Sequence, residues 1–272
     1  MTTEIIMIII FVAFICEIID SSLGMLYGTI LSPSLIIAGF DPLIVVPSIL
    51  LSQAVGSFVA SGMHHKLHNA DFHIKESRQS PRNGQDLISQ LKKNTSQDLK
   101  VVLVITVTGV VATAIAAATA IHIPKEILKT YIGLLVLAMG IILLLKTKFS
   151  FSWKKVFGVG LISAFNKGMS GGGFGPVVTS GQIISGRSAK KSIGTTALSE
   201  APICIAGFFT YWLINGMASW DLVIFLTIGS IFGALIGPFI TAKIKSEKVL
   251  VLTLGIIVTL LGLWTLAKTW LL

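Results

Sequence analysis

Phe165-Asn166-Lys167-Gly168-Met169-Ser170-Gly171-Gly172-Gly173-Phe174-Gly175-Pro176 interrupts an otherwise apolar stretch that runs from 153 to 186. A lysine, an amide and three successive glycines do not continue an apolar helix. Glycine permits the backbone angles that a break requires. Unsatisfied backbone groups in lipid cost several kcal/mol each, so such a break is tolerated only against protein or a water-filled cavity. The pieces on either side are short. They fit a helix–break–helix hairpin that enters and leaves on one side better than two full spans. The stretch 5–39, broken at Asp20, Ser21, Ser22 and Gly24, has the same form.

The two interrupted stretches align without gaps at a shift of 147 residues. Gly24 falls on Gly171, Tyr27 on Phe174, Gly28 on Gly175, Ile36-Ile37 on Ile183-Ile184 and Gly39 on Gly186. Further on, Leu51-Ser52-Gln53-Ala54 falls on Leu198-Ser199-Glu200-Ala201.

Working outward, six long apolar stretches remain, at 44–62, 99–121, 126–146, 191–213, 221–242 and 249–270. Each is long enough to cross the ~30 Å hydrocarbon core. Composition agrees: of 272 residues, 53% are hydrophobic and 12% charged, with a mean hydropathy of +0.87. Soluble domains carry about 25% charged residues. A soluble enzyme, a secreted disulfide scaffold and a disordered chain are therefore excluded. The fold class is an all-α polytopic membrane protein. No basic region precedes the first apolar run, so no cleavable signal peptide is expected there.

The net charge of +9 reflects topology rather than nucleic-acid binding. Seventeen of the 21 Lys and Arg residues fall in 63–100, 146–155, 186–192 and 243–248, which are therefore assigned to the cytoplasm. The opposite connections hold only Lys125. With both interrupted stretches as re-entrant hairpins the sides alternate correctly and both termini lie outside. Each half is then one hairpin plus three spans. Three is odd, so the halves enter from opposite faces. The first inverted repeat is 1–62 plus 99–146, the cytoplasmic loop is 63–98, and the second repeat is 147–272. Inverted repeats are a common architecture of secondary transporters.

Ser22 and Ser170 are expected to cap the returning half-helices, whose N-termini would bring partial positive charge near the midplane. Two such ends aimed at one point suit an anion. The glycine run is followed by no Lys-Ser/Thr pair and preceded by no strand, so neither nucleotide-loop reading holds. At membrane depth the charged residues are Lys167, Glu17, Asp20 and Glu200, each a functional candidate by default. Lys167 reads as an anion contact or as an ion-pair partner of a carboxylate. Glu200 reads as a proton carrier or as a hydrogen-bond partner of Lys167. Glu17 is open between a buried role and the outer vestibule.

Other features read as packing. Gly229, Gly233 and Gly237 favour close helix approach, within the fold or between the protomers of a homodimer. Trp153, Trp212, Trp220 and Trp270 mark span ends. Cys16 and Cys204 read as buried free thiols. His64, His65, His68 and His73 gather near the loop, but no Cys or tight carboxylate cluster completes a ligand set. They read as solvated loop and interface histidines, with a metal or pH-sensing site as the alternative, and no metal or cofactor is expected.

At Ile19 through Gly28, Pro47 through Gln53 with His64-His65, and Phe165 through Pro176 with Ser199-Glu200, the chain resembles the TauE/SafE sulfite exporter family. The first motif has Ser-Ser-Leu-Gly before Met25 where the second has Met-Ser-Gly-Gly-Gly, so the halves are not chemically equivalent. The resemblance implies an inner-membrane transporter of sulfur-containing anions such as sulfite, sulfoacetate or related organosulfonates, here expected to be a secondary transporter. No Ser-His, His-Glu-x-x-His or paired-Asp constellation stands at membrane depth, so no enzyme is expected. An anion channel using the same helix ends is the alternative. The expected anion contacts are Ser21, Ser22, Gly24, Tyr27 and Gln53 in the first half. In the second half they are Asn166, Lys167, Ser170, Gly171, Gly172, Gly173 and Ser199. Asp20 and Glu200 are the expected proton-coupling pair. The expected partners are the small sulfur-containing anion and the lipid bilayer.

Overall fold

The computed structural model describes residues 3–74, 93–119, 125–145, 150–216 and 219–270. The expected features at Arg78, Arg82 and Pro81 through Gly84, with any short helix there, lie outside these residues.

Ten helices form among the described residues: α1 (Thr3–Leu23), α2 (Tyr27–Ile37), α3 (Pro42–Lys66), α4 (Gln97–Thr119), α5 (Lys125–Leu144), α6 (Trp153–Ser170), α7 (Phe174–Ile184), α8 (Ala189–Asn215), α9 (Trp220–Lys243) and α10 (Glu247–Trp270). The described residues form no strand, only one isolated bridge between Ile74 and Thr95. Helices α1, α3, α4, α8, α9 and α10 are long and apolar enough to cross a membrane, which makes this a multi-pass membrane protein fold.

Both interrupted stretches break as expected, but the first breaks later. Asp20, Ser21 and Ser22 remain helical, because Ser21 Oγ bonds back to Glu17 O at 2.6 Å and Ser22 Oγ to Ile19 O at 3.1 Å. The chain leaves the helix at Gly24, with φ +75°, and enters α2 through Leu26 at φ +116°. The first arm is therefore a helix of 21 residues and of spanning length, not a half-helix. In the second stretch Gly171, at φ +72°, ends α6, and Gly173, at φ +75°, opens α7. Here the left-handed backbone is met by glycine, whereas Leu26 adopts it with a side chain.

The packing has a reciprocal pattern. Helix α1 lies on α9, and α6 lies on α4. Helix α3 contacts α9, α8 contacts α4, α3 and α8 pack on each other, and so do α5 and α10. The glycine ladder of α9 serves the α1 contact. A Cβ on Gly229 would meet Ile10 O and Ala13, one on Gly233 would meet Phe14 O and Glu17, and one on Gly237 would meet Ser21 Oγ and Ile18 O. Of the two expected uses of that ladder, the structure shows the one within the fold.

The short arms differ in their surroundings. All eleven residues of α7 are buried, and α7 packs on α5. On α2, Ser34 and Ile36 are exposed and Thr29 and Ile30 half-buried. Trp153, Trp212, Trp220 and Trp270 lie at or near helix ends and are exposed, and both cysteines are buried free thiols.

Candidate functional site

The two breaks meet. A Cβ on Gly28 would run into Gly171 O and the Gly172 backbone, and one on Gly175 would run into Gly24 O and Met25 Cα. Backbone lies on backbone at both contacts, so only glycine fits at either position. Polar bonds tie the crossing together. Thr179 Oγ1 donates to Gly24 O at 3.0 Å, Gly173 N–H donates to Thr29 Oγ1 at 3.2 Å, and Ser32 Oγ donates to Ser170 O at 3.1 Å.

Beside the crossing lies a buried polar network drawn from four helices. Lys167 Nζ (α6) donates to Gln53 Oε1 (α3) and, at 2.9 Å, to Glu200 Oε1 (α8). Gln53 Nε2 donates to Glu200 Oε1 at 2.9 Å and to Asp20 Oδ2 (α1) at 3.4 Å. Asp20 Oδ1 accepts the N–H of Tyr27 at 3.0 Å. Exposure is 6% at Asp20 and 2% or less at the other three residues, so every charge here depends on its partners rather than on water.

Several site residues take other partners than expected. Neither serine caps a half-helix: Ser22 bonds within α1, while Ser170 Oγ donates to Asn166 O and accepts the N–H of Gly172. Neither α2 nor α7 is capped by the side chain of its own N-cap residue, Leu26 or Gly173. The N–H groups of Gly24, Gly171, Gly172 and Gly173 are all engaged, with Asp20 O, Lys167 O, Ser170 Oγ and Thr29 Oγ1 respectively. Ser21 Oγ and Ser199 Oγ bond within their own helices, to Glu17 O and Thr195 O. The Tyr27 hydroxyl meets Ser52 Oγ at 3.0 Å and Leu226 O at 3.2 Å.

Two buried groups stand out by what they lack. Asn166, fully buried, has no hydrogen-bond partner for Nδ2 or Oδ1 among the described residues. Glu17 is fully buried rather than facing a vestibule; its Oε2 accepts from Ser230 Oγ at 3.1 Å and its Oε1 has no partner among the described residues.

The two halves differ in charge at the crossing. In the first, the Asp20 carboxylate already sits on the N–H that opens α2, matching the positive end of that helix. In the second, the aligned position is Lys167, and α7 has no acidic residue in its first turn.

The sequence does not reveal a second buried ion pair. Arg187, in the turn 186–192 assigned to the cytoplasm, is 7% exposed, and its Nη2 donates to Asp98 Oδ1 at 2.7 Å. The other Asp98 oxygen accepts the N–H of Asp71. His64, read with the loop histidines, is fully buried. Its Nε2 donates to Ser21 O at 2.8 Å, and its Nδ1 accepts from Asn69.

No solved structure matches the chain. The Probable membrane transporter protein YtnM of Bacillus subtilis (strain 168) is 26% identical, over 96% of this chain and 82% of that protein. The family model described as Sulfite exporter TauE/SafE matches residues 84–265, a stretch that takes in Asn166 and Lys167, the whole second break and Glu200. The chain is therefore a membrane transporter protein of the TauE/SafE sulfite exporter family.

Proposed function

We propose that the protein is a secondary transporter that exports small sulfur-containing anions such as sulfite, sulfoacetate or another organosulfonate across the inner membrane. The observation that carries this reading is the buried Asp20–Gln53–Lys167–Glu200 network beside the crossing of the two helix breaks.

An inverted repeat accounts for the paired geometry. Asp20 and Lys167 are aligned positions, as are Gln53 and Glu200, Gly24 and Gly171, and Gly28 and Gly175. The Gly28–Gly171 and Gly175–Gly24 contacts exchange under that alignment. So do the α1–α9 and α6–α4 packings. In this arrangement the 63–98 loop is cytoplasmic. The second break and α7 then enter from the cytoplasmic side, where α7 is fully covered, while α2 on the outer side is half open. A closed α7 side and a looser α2 side are what one state of an alternating-access cycle presents.

The anion belongs at the α7 end. There the helix start carries no side-chain cap and no acid, Lys167 supplies a cation, and the Asn166 amide is free to donate. The α2 end is already matched by Asp20. Asp20, Glu200 and Lys167 together sum to one negative charge when all are ionised. Adding an anion to that buried group demands a compensating proton, so occupancy and protonation are linked.

The test is flux of labelled sulfite and sulfoacetate in proteoliposomes. Saturation together with acceleration by unlabelled anion on the opposite side supports the transporter. Linear flux without counter-exchange supports a channel instead. Uptake no greater than in empty vesicles for every such anion would refute the substrate class.

A further inference from the structure

The last turn of α3 carries His64, His65 and Lys66. His64 points into the protein, but His65 does not. The chain then turns through His68, at φ +57°, and returns along the end of the helix. This return is held firmly. Asn69 N–H donates to His64 O, and Asn69 Nδ2 donates to Pro238 O at 2.9 Å. Asp71 N–H donates to Asp98 Oδ2 at 2.9 Å, and Ser96 N–H donates to His73 O at 3.1 Å.

The result places His65, Asp71 and His73 together, with a ligand atom from each within 4.8 Å of the others. The His65 and His73 rings lie 4.5 Å apart. With His68, Ala70 and Lys191 these residues line one pocket of about 320 Å³. Asp71 Oδ1 accepts both the backbone N–H of His73 at 3.0 Å and its Nδ1–H at 2.9 Å. These bonds hold the Asp71 carboxyl below its ordinary range. A metal held by all three residues would take the place of the proton between His73 Nδ1 and Asp71 Oδ1, which lie 2.9 Å apart.

We propose that His65, Asp71 and His73 form a binding site for a divalent transition-metal ion of the zinc class, with His68 or water completing the coordination. Two imidazoles and one carboxylate favour zinc, nickel or copper over calcium or magnesium, which prefer all-oxygen sets. At His65 the metal replaces the hydrogen bond that Nδ1 accepts from Phe72 N–H at 3.2 Å. The site ties the end of α3 to the start of α4, because Asp71 is bonded directly to Asp98. It stands on the end of α3 and the turn that follows, and does not depend on the transported substrate.

The experiment uses the purified full chain, carrying no histidine tag, titrated with zinc chloride by calorimetry and by thermal melting. One equivalent should bind and raise the melting temperature, and magnesium at the same concentration should not. His73 is 70% exposed, so His73→Ala is not expected to threaten the fold. It should weaken zinc binding about 10-fold or more. His65→Ala should do the same. Absence of zinc binding by the wild type, an equal response to magnesium, or unchanged zinc affinity in His73→Ala would each overturn the proposal.

Discussion

Gln53 and Glu200 stand 147 residues apart in the chain, and Gln53 Nε2 donates to Glu200 Oε1 at 2.9 Å. Asp20 and Lys167 are separated by the same interval, and each is bonded to Gln53. Four side chains from two aligned pairs thus form one network. One member of each pair is charged oppositely to, or is the neutral amide of, its counterpart. In the proposed transporter this inequality is what gives the centre both a cation and a protonatable carboxylate.

Lys167→Ala should abolish substrate-induced thermal stabilisation. It also leaves Glu200 buried without its cation, which costs about 3–5 kcal/mol, so the variant should melt early. The double variant Lys167→Met with Glu200→Gln removes both charges and should recover much of the melting temperature while still failing to respond to substrate. A substrate response in the double variant would show that Lys167 is structural only.

Glu200→Gln should bind, with some loss of melting temperature because Lys167 loses its ion-pair partner. The aligned residue Gln53 shows that an amide fits that position, and Lys167 keeps an oxygen acceptor there. With the carboxylate gone, the charge balance at the centre no longer depends on its proton. Substrate stabilisation, measured from about pH 5 to about pH 8, should therefore be flatter than in the wild type. A pH profile identical to wild type would place the coupled proton elsewhere, with Asp20 the next group to substitute.

Much of this was legible in the chain. Glycine, serine and charge inside apolar stretches mark a break whatever the neighbours, and the crossing of the two breaks follows from their alignment. The capping roles of Ser22 and Ser170 were not legible. A serine in lipid can satisfy itself on a carbonyl one turn back, and this also carries α1 to its full length. Arg187 beside a turn reads as solvated until the fold brings Asp98, 89 residues away, against it. Asp71 looks like an isolated loop acid until the turn at His68 brings it beside His65.

Asp98→Ala should destabilise the protein strongly, because Arg187 then remains buried without a counter-charge and the Asp71 N–H loses its acceptor. The expected cost is about 3–5 kcal/mol. Asp98→Ala combined with Arg187→Met should recover part of it. Chemical denaturation in detergent measures both. If the single variant is as stable as wild type, the pair contributes nothing and the two residues are not a clasp between the α4 start and the α7–α8 turn.

The crossing of the breaks predicts equal sensitivity at two distant glycines. Alanine at Gly28 would place a Cβ on Gly171 O and 2.9 Å from Gly171 C, and alanine at Gly175 would place one on Gly24 O and 2.8 Å from Met25 Cα. These neighbours are backbone, so no rotamer change relieves the clash. The helices must separate, which costs about 1–3 kcal/mol at a packed site. Gly158 is the control: it lies inside α6 with nothing within 4 Å of an added Cβ. Gly158→Ala should be neutral, or stabilising by up to about 1 kcal/mol from helix propensity. Thermal melting of the three variants in one detergent decides the matter. Loss of stability in both Gly28→Ala and Gly175→Ala, with none in Gly158→Ala, is the expected pattern. If only one of the two falls, the contacts are not reciprocal and the inverted-repeat reading of the centre fails with them.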